Sequence, residues 1–156
     1  MSGFTAEELN NETLVLSVGD NAKRFELYKR YTKNTLKENI VHPQVWIERH
    51  TKLGRSNQIM AFTYINAGAM IADNNILNTR STIEHEAEIG SHNHISVGSI
   101  IAGRAKIGNQ CFIGASAVVI DKVKICDHVT IGANSVVLED IKEPGVYVGN
   151  PVRKIK

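Results

Sequence analysis

The chain contains 156 residues, of which 42% are hydrophobic and 22% charged, as is typical of one soluble globular domain. Lysine plus arginine exceed aspartate plus glutamate by 18 minus 16, and a net charge of +2 argues against a nucleic-acid-binding surface. The apolar runs are too short for a membrane span, and residues 1–12 lack the features of a secretion signal. We therefore expect a cytoplasmic protein with no nucleic-acid partner and no membrane span.

A short α/β segment is predicted near the start of the chain. Residues 14–18 form a short apolar run that predicts a buried strand, and Gly19, Asp20 and Asn21 follow as a turn and helix start. The predicted helix has an apolar face (Phe25, Tyr28 and Tyr31, with Leu27 between them) set against basic residues (Lys23, Arg24, Lys29, Arg30 and Lys33). One such unit cannot form a stable sheet alone, so it must pack on the rest of the chain or on another subunit.

A six-residue repeat of large aliphatic residues dominates the rest of the chain. Sixteen consecutive positions, spaced six apart from Ile47 to Val137, hold isoleucine, leucine or valine. The position four residues after each aliphatic is mostly small, as at Thr51, Ala69 and Ala105. An α-helix repeats at about 3.6 residues and an exposed strand at about 2, so neither explains this period.

The repeat is typical of the hexapeptide parallel β-helix, in which short strands joined by corners point their aliphatic side chains into one interior. Three hexads form a triangular coil of about 18 residues, so sixteen hexads predict about five coils. We predict a mainly β protein with a β-helix over residues 42–142, an α/β segment over 1–41 and a C-terminal strand and tail over 143–156. A β-sandwich with coincidental spacing is the weaker alternative.

Two histidines stand out in the frame of the repeat. His85 is the third residue of its hexad, which places it outward near a corner, with Ala67 one coil before and Gly103 one coil after. Such small neighbours leave open space around a reactive base, although an ordinary exposed histidine would look the same. His94 lies half a coil later on another side of the prism, so the two rings share a substrate only across a cyclic oligomer such as a trimer. Alternatively, His94 merely packs beside Phe112.

Three stretches resemble the sugar acetyltransferases of the left-handed β-helix superfamily. They are residues 78–98 (NTRSTIEHEAEIGSHNHISVG), 100–119 (IIAGRAKIGNQCFIGASAVV) and 146–155 (VYVGNPVRKI). The most similar branch acetylates nucleotide-linked amino-sugars or sialic acid, and the resemblance extends over nearly the whole chain. It implies left-handed coils, acetyl-coenzyme A as co-substrate, a sugar or nucleotide-sugar acceptor, a homotrimer and no metal.

The resemblance also implies roles for individual residues. His85 matches the general base and Glu86 the group that orients it, while His94 and the backbone of Gly103 face the acetyl group and the pantetheine arm. Positions matching the coenzyme channel, and the tail near the coenzyme's nucleotide, are Ala115, Ala133, Asn150, Pro151, Arg153 and Lys154. Positions matching the border of the sugar-nucleotide site are Gly19, Asn21 and Arg24. The alternative is that Glu86, Arg153 and Lys154 are ordinary charged residues in contact with solvent.

These residue types suit acetyl transfer. An imidazole with a pKa of about 6.5 can remove a proton near neutrality, and such a base contributes about 10² to 10⁴ in rate. The N–H of Gly103 is a suitable donor to the oxyanion, a contribution of roughly 3 to 4 kcal/mol in other enzymes. No acyl-enzyme is required, so Cys111 and Cys126 need no catalytic role, and Cys111 occupies an inward position of the repeat.

The family usually carries about 50 residues upstream of the LVLSVGDNAKR segment, with a glycine-rich turn for the phosphates, so we expect a truncated acceptor domain here. The acceptor, and N- versus O-transfer, stay open. One alternative is a zinc hydratase of the carbonic anhydrase type, but no two histidines have the five-residue separation of that family's close pair. The other is a scaffold without catalytic activity.

Overall fold

Residues 12–156 are described by a computed structural model, and they form a left-handed parallel β-helix with three sheets, as predicted. The chain visits the sheets in turn, so each strand pairs with the strand one coil further along the sequence. The paired residues are eighteen apart, as His94 is from Phe112 and Ile95 from Ile113. Side chains separated by one coil therefore lie directly against one another.

The strands divide among the sheets as follows. Sheet I contains β1 (Ile40–Val41), β4 (Gln58–Ile59), β7 (Ile76–Leu77), β10 (His94–Ile95), β13 (Phe112–Ile113), β16 (Val129–Ile131), β18 (Gly145–Gly149) and β19 (Val152–Lys154). Sheet II contains β2 (Trp46–Ile47), β5 (Tyr64–Ile65), β8 (Thr82–Ile83), β11 (Ile100–Ile101), β14 (Val118–Val119) and β17 (Val136–Val137). Sheet III contains β3 (Lys52–Leu53), β6 (Met70–Ile71), β9 (Glu88–Ile89), β12 (Lys106–Ile107) and β15 (Lys124–Ile125).

The β-helix has about six coils, one more than the sequence predicted. The difference arises at both ends, because β1 pairs with β4 one hexad before Ile47 and β18 pairs with β16 beyond Val137. From Ile59 to Val137, every aliphatic residue of the repeat is at most 3% exposed. Ile47 is 39% exposed, since it belongs to the first coil and no coil precedes it in the described chain. Burying one such side chain contributes roughly 1.5 to 3 kcal/mol.

An internal asparagine ladder replaces the small residue of the repeat at one corner. The Oδ1 atoms of Asn39, Asn57 and Asn75 each accept the backbone N–H of the asparagine one coil further on, at 2.8 to 2.9 Å. Asn93 ends the ladder, accepting from the N–H of Cys111 at 2.6 Å and donating to the carbonyl of Gly108 at 2.9 Å. These amides satisfy buried backbone groups that the short strands leave unpaired.

The N-terminal segment contains one helix, α1 (Asn21–Arg30), which begins where predicted. The Asp20 side chain caps it by accepting from the N–H of Lys23 at 2.7 Å. The strand predicted for residues 14–18 is wrong: only an isolated bridge from Leu14 to Thr35 forms, and one residue of the run, Leu16, is buried. No helix within residues 12–156 has the length and hydrophobicity to cross a lipid bilayer.

We predict that Asn93→Ala lowers the free energy of unfolding by about 1 to 3 kcal/mol, because it leaves the Cys111 N–H and the Gly108 carbonyl buried without a partner. The matched control is Asn75→Ala. It removes one such hydrogen bond rather than two, together with an Nδ2 group that has no partner within the described chain, so its effect is smaller. Denaturant titration of both variants checks the order, and an equal or larger loss for Asn75→Ala would contradict it.

Candidate active site

His85 lies in the turn that follows β8, at the corner between sheets II and III, which we call the base corner. Its side chain is 45% exposed, and its Nδ1 atom lies 3.2 Å from Oε2 of Glu86. A carboxylate only accepts, so Nδ1 carries the hydrogen and Nε2 keeps its lone pair. The imidazole is therefore accessible, oriented by its neighbour, and in the tautomer that a general base requires.

Gly103 lies directly against the His85 ring, as the 18-residue coil predicts. A Cβ atom placed on Gly103 would lie 2.6 Å from Nε2 and 2.7 Å from Cε1 of the ring. The expectation of open space on both sides of His85 is therefore wrong on this side, because the ring itself fills the room that the glycine leaves. Only a residue without a side chain allows the ring to take this position.

Charged side chains surround the base corner. Arg104 donates to both carboxylate oxygens of Asp121, from Nη2 at 3.0 and 2.9 Å. On the opposite side, Oε2 of Glu84 accepts from Nδ2 of Asn66 at 2.6 Å. Glu86 thus places a carboxylate beside the imidazole and Glu84 places one 3.4 Å from the backbone nitrogen of His85, whereas the Asp121 carboxylate pairs with Arg104.

The backbone N–H groups at the corners of sheet II that have no acceptor within residues 12–156 include those of Gly103, Ala115 and Ala133, and also those of Ala61, Val97 and Asp121. Whether such an N–H group has an acceptor depends on the side chain of the residue that precedes it. Where that residue is Asn66 or Asn78, its side chain accepts the next N–H at 2.7 to 2.8 Å. Ala102, Gly114 and Gly132 precede Gly103, Ala115 and Ala133 and offer no side-chain acceptor. This signal is visible in the sequence once the corner geometry is known.

Ala115 and Ala133 lie at the corner between sheets I and II, which we call the alanine corner. It borders the same sheet as the base corner but on its other edge. Within one chain, the structure therefore does not bring these alanines to His85. Asn150 and Pro151 form the turn of the terminal β18–β19 hairpin on sheet I, and Lys154 pairs with Glu143 at 3.0 Å.

His94 lies on the outer face of sheet I and packs edge-on against Phe112, with ring centroids 5.2 Å apart. The alternative that it packs beside Phe112 is thus confirmed. Its Nδ1 lies 3.2 Å from the carbonyl oxygen of Gly19, and its Nε2 lies 3.1 Å from Nδ2 of Asn78. Burial lowers the pKa of His94 below its ordinary value, and the nearby positive charge of Arg24 lowers it further.

The three residues implied for the sugar-nucleotide border lie together near His94. Gly19 contacts the histidine as described, and Nδ2 of Asn21 donates to the carbonyl of Cys111 at 2.7 Å. Arg24 differs from the role that the resemblance implies for it, because it is 0% exposed and so is not free to contact a substrate. Asn78, which sequence reasoning missed as a site residue, joins this group through His94.

Neither cysteine has the character of a nucleophile. Burial raises the pKa of the Cys111 thiol to about 12, and burial also raises that of Cys126.

Among residues 12–156, no three histidine, cysteine, aspartate or glutamate side chains converge in a way that could hold a metal ion.

The grooves of the single chain do not coincide with the His85 cluster. A groove of about 860 Å³ runs along the outer face of sheet III between Lys52 and Lys142, and no predicted site residue lines it. A cleft of about 530 Å³ lies between Gly19 and Asn21 on one side and Phe112 and His128 on the other. His85 instead stands at an exposed edge that one chain leaves open.

Comparisons with known proteins agree with this fold. Residues 104–139 match the family described as "Bacterial transferase hexapeptide (six repeats)". Comparison with curated protein sequences yields no match.

Solved structures of acetyltransferases are similar over most of the chain. The acetyltransferase domain of PglB from Neisseria gonorrhoeae is 25% identical, with a TM-score of 0.90 over 97% of this chain and 77% of its own. PerB from Caulobacter crescentus, solved in complex with CoA and GDP-perosamine, is 29% identical, with a TM-score of 0.89 over 93% of this chain and 70% of its own. The PglB domain in complex with acetyl coenzyme A is 25% identical, with a TM-score of 0.86 over 92% and 70%.

The repeat, the left-handed β-helix fold and these similarities together support acyltransferase activity, and the chain is similar to sugar acetyltransferases built from hexapeptide repeats.

Proposed function

We propose that the protein transfers an acetyl group from acetyl-coenzyme A to an amino or hydroxyl group of a sugar or nucleotide-sugar, with His85 as general base. The observation that carries this proposal is the exposed imidazole of His85, which rests on Gly103 and donates from Nδ1 to Glu86. The similarity to PglB bound to acetyl coenzyme A, and to PerB bound to CoA and GDP-perosamine, supports the choice of donor and acceptor.

In the proposed reaction, the acceptor nitrogen or oxygen attacks the thioester carbonyl while Nε2 of His85 takes its proton. The tetrahedral intermediate then collapses, the carbon–sulfur bond breaks, and the proton on the imidazolium passes to the coenzyme A thiolate. Glu86 stabilises the transient positive charge through its hydrogen bond to Nδ1. Each step needs only the two substrates and these side chains.

The open backbone N–H groups fit the remaining requirements. The N–H of Gly103 is close to the base and is proposed to stabilise the oxyanion of the intermediate. The N–H groups of Ala115 and Ala133 are proposed to bind carbonyl groups of the pantetheine arm. The exposed Asn150, Pro151, Arg153 and Lys154 of the tail are proposed to approach the nucleotide end of the coenzyme.

The site is proposed to be completed by a second chain of a homotrimer. Sheet II presents Ile100, Val118 and Val136 on its outer face, and Leu138 at its end is 45% exposed. This apolar face lies between the base corner and the alanine corner. In a trimer whose three-fold axis faces sheet II, the base corner of one protomer meets the alanine corner of the next. The same arrangement brings His94 of one protomer to His85 of its neighbour.

The acceptor is proposed to approach from the side of the N-terminal segment. Gly19 and Asn21 line the cleft of about 530 Å³ on that side, and His94 lies within hydrogen-bond reach of Gly19. Arg24 has no place in this list of contacts, because it is fully buried.

His85→Ala is expected to lower kcat by about 10² to 10⁴ with little change in the KM for acetyl-coenzyme A, because it removes the base but no part of the coenzyme channel. Release of the coenzyme thiol, measured with a panel of amino-sugars and nucleotide amino-sugars, reports the rate. The exposed His50→Ala is the matched control. Full activity of His85→Ala would overturn the assignment, and a wild-type protein inactive with every acceptor would favour the scaffold.

Gly103→Ala is expected to reduce kcat by on the order of 10²-fold, because the added methyl group must displace the His85 ring. Gly98→Asn is the control: a Cβ there meets nothing nearer than 3.5 Å, and asparagine tolerates its φ of 64°. Steady-state kinetics and thermal melting of both variants check the prediction, which is contradicted if Gly103→Ala keeps wild-type kcat.

Co-expression of His85→Ala with His94→Ala chains is expected to restore part of the activity that each variant lacks alone. In mixed trimers, some sites then combine an intact His85 from one chain with an intact His94 from its neighbour. Thiol release from the purified mixture, with sedimentation to establish the trimer, measures this effect. Activity no greater than the sum of the two separate variants would count against a shared site.

A further inference from the structure

Arg24 is the largest side chain that the described part of the fold buries completely. Its guanidinium donates to the carbonyl groups of Val18 (2.8 Å), Gly19 (3.4 Å), Asn74 (3.3 Å), His92 (2.9 Å) and Asn93 (2.9 Å), and to Oδ1 of Asn21 (2.7 Å). No carboxylate within residues 12–156 forms an ion pair with it. Burial lowers its pKa to about 10, so the group is still charged near neutral pH.

These acceptors belong to two separate parts of the molecule. Val18 and Gly19 lie in the turn before helix α1, whereas Asn74, His92 and Asn93 lie at one corner of the β-helix. One planar guanidinium therefore fixes the turn against the β-helix from several directions at once. A buried arginine with only carbonyl and amide partners provides position rather than charge neutralisation.

The fixed turn determines how His94 is protonated. The carbonyl of Gly19 can only accept, so the hydrogen of the neutral ring lies on Nδ1. On the other side, the backbone N–H of Thr79 donates to Oδ1 of Asn78 at 2.8 Å, which identifies the opposite atom of that amide as Nδ2. Nδ2 of Asn78 then donates to Nε2 of His94. Both contacts require the same neutral tautomer, with the lone pair on Nε2.

We propose that Arg24 is a positioning residue for His94: by holding the Gly19 carbonyl against Nδ1, it keeps the hydrogen of the neutral imidazole on Nδ1 and orients Nε2 as a hydrogen-bond acceptor. The catalytic consequence rests on the proposed function, in which His94 faces the substrates. In that setting an N–H or O–H group of a ligand donates to Nε2 in place of the Asn78 carboxamide, which occupies that position in this structure.

The tautomer of His94 is the first test, and it requires no substrate. Imidazole ¹⁵N resonances of the full chain at pH 7.5, assigned with His94→Gln, distinguish a protonated from an unprotonated ring nitrogen. We expect a protonated Nδ1 and an unprotonated Nε2 in the wild type. Arg24→Lys cannot reach the spread carbonyl groups with one ammonium, so we expect a mixture of tautomers in that variant.

The matched control is Arg30→Lys, the same substitution on an exposed residue of the same helix that pairs only with Glu26. It is expected to leave the His94 resonances unchanged. Asn21→Ala removes one acceptor of Arg24 while keeping the guanidinium, and we expect a minor second tautomer there. If Arg24→Lys does not fold, the tautomer of His94 in Asn21→Ala tests the proposal in its place.

Activity provides the second readout. Arg24→Lys is expected to lower kcat/KM for acetyl transfer by about tenfold or more, because small displacements of a positioned group are costly to rate. A wild-type His94 with its proton on Nε2 would overturn the proposal. So would a single Nδ1–H tautomer in both folded Arg24→Lys and Asn21→Ala. An inactive wild-type protein with the expected tautomer would instead refute the proposed acetyl transfer and leave the positioning role intact.

Discussion

From β1 to β17, the strands that pair in parallel belong to adjacent coils, and their paired residues are eighteen positions apart, as His94 is from Phe112. This register stacks aliphatic side chains into a continuous interior from Ile59 to Val137. It also stacks the asparagines of the ladder, so that each amide accepts the N–H of the next coil. The same constraint places Gly103 under His85. Core stability and the geometry of the proposed base therefore have one common origin.

The sequence predicts those features that a local period determines. The aliphatic repeat predicted the β-helix, the Asp20–Asn21 start of helix α1 follows from capping, and the spacing of His85 and Gly103 predicted their contact. The first strand, β1, escaped detection because it precedes the regular part of the pattern, which begins at Ile47. The amide of Asn93 was also missed, since the inward position was expected to be small.

Features that depend on the meeting of distant segments were not predictable. Arg24 lies among other basic residues in the sequence and nothing there marks it as buried, yet five carbonyl groups from two parts of the chain converge on it. Residues 14–18 are apolar enough for a strand, but Leu14 finds only Thr35 as a partner. The burial of Arg24 and the pairing of Leu14 both depend on contacts with residues more than twenty positions away. A local sequence pattern contains no information on such contacts.

The arrangement of the surface explains why one chain leaves the proposed site unfinished. Sheet II separates the base corner from the alanine corner, and its outer face is apolar in the later coils around Ile100 and Val118. The groups proposed for the base and the coenzyme channel thus lie on opposite edges of one face. Two opposite edges of one face of the β-helix meet only when several copies of the chain are arranged around a symmetry axis.

The contact between His85 and Gly103 tests the account most directly. A nuclear Overhauser measurement on the full-length protein in solution reports whether the Hε1 proton of His85 lies beside the Hα protons of Gly103. The eighteen-residue register predicts a strong cross-peak between them. Its absence, with cross-peaks from His85 to another coil position instead, would contradict both the register and the proposed catalytic geometry.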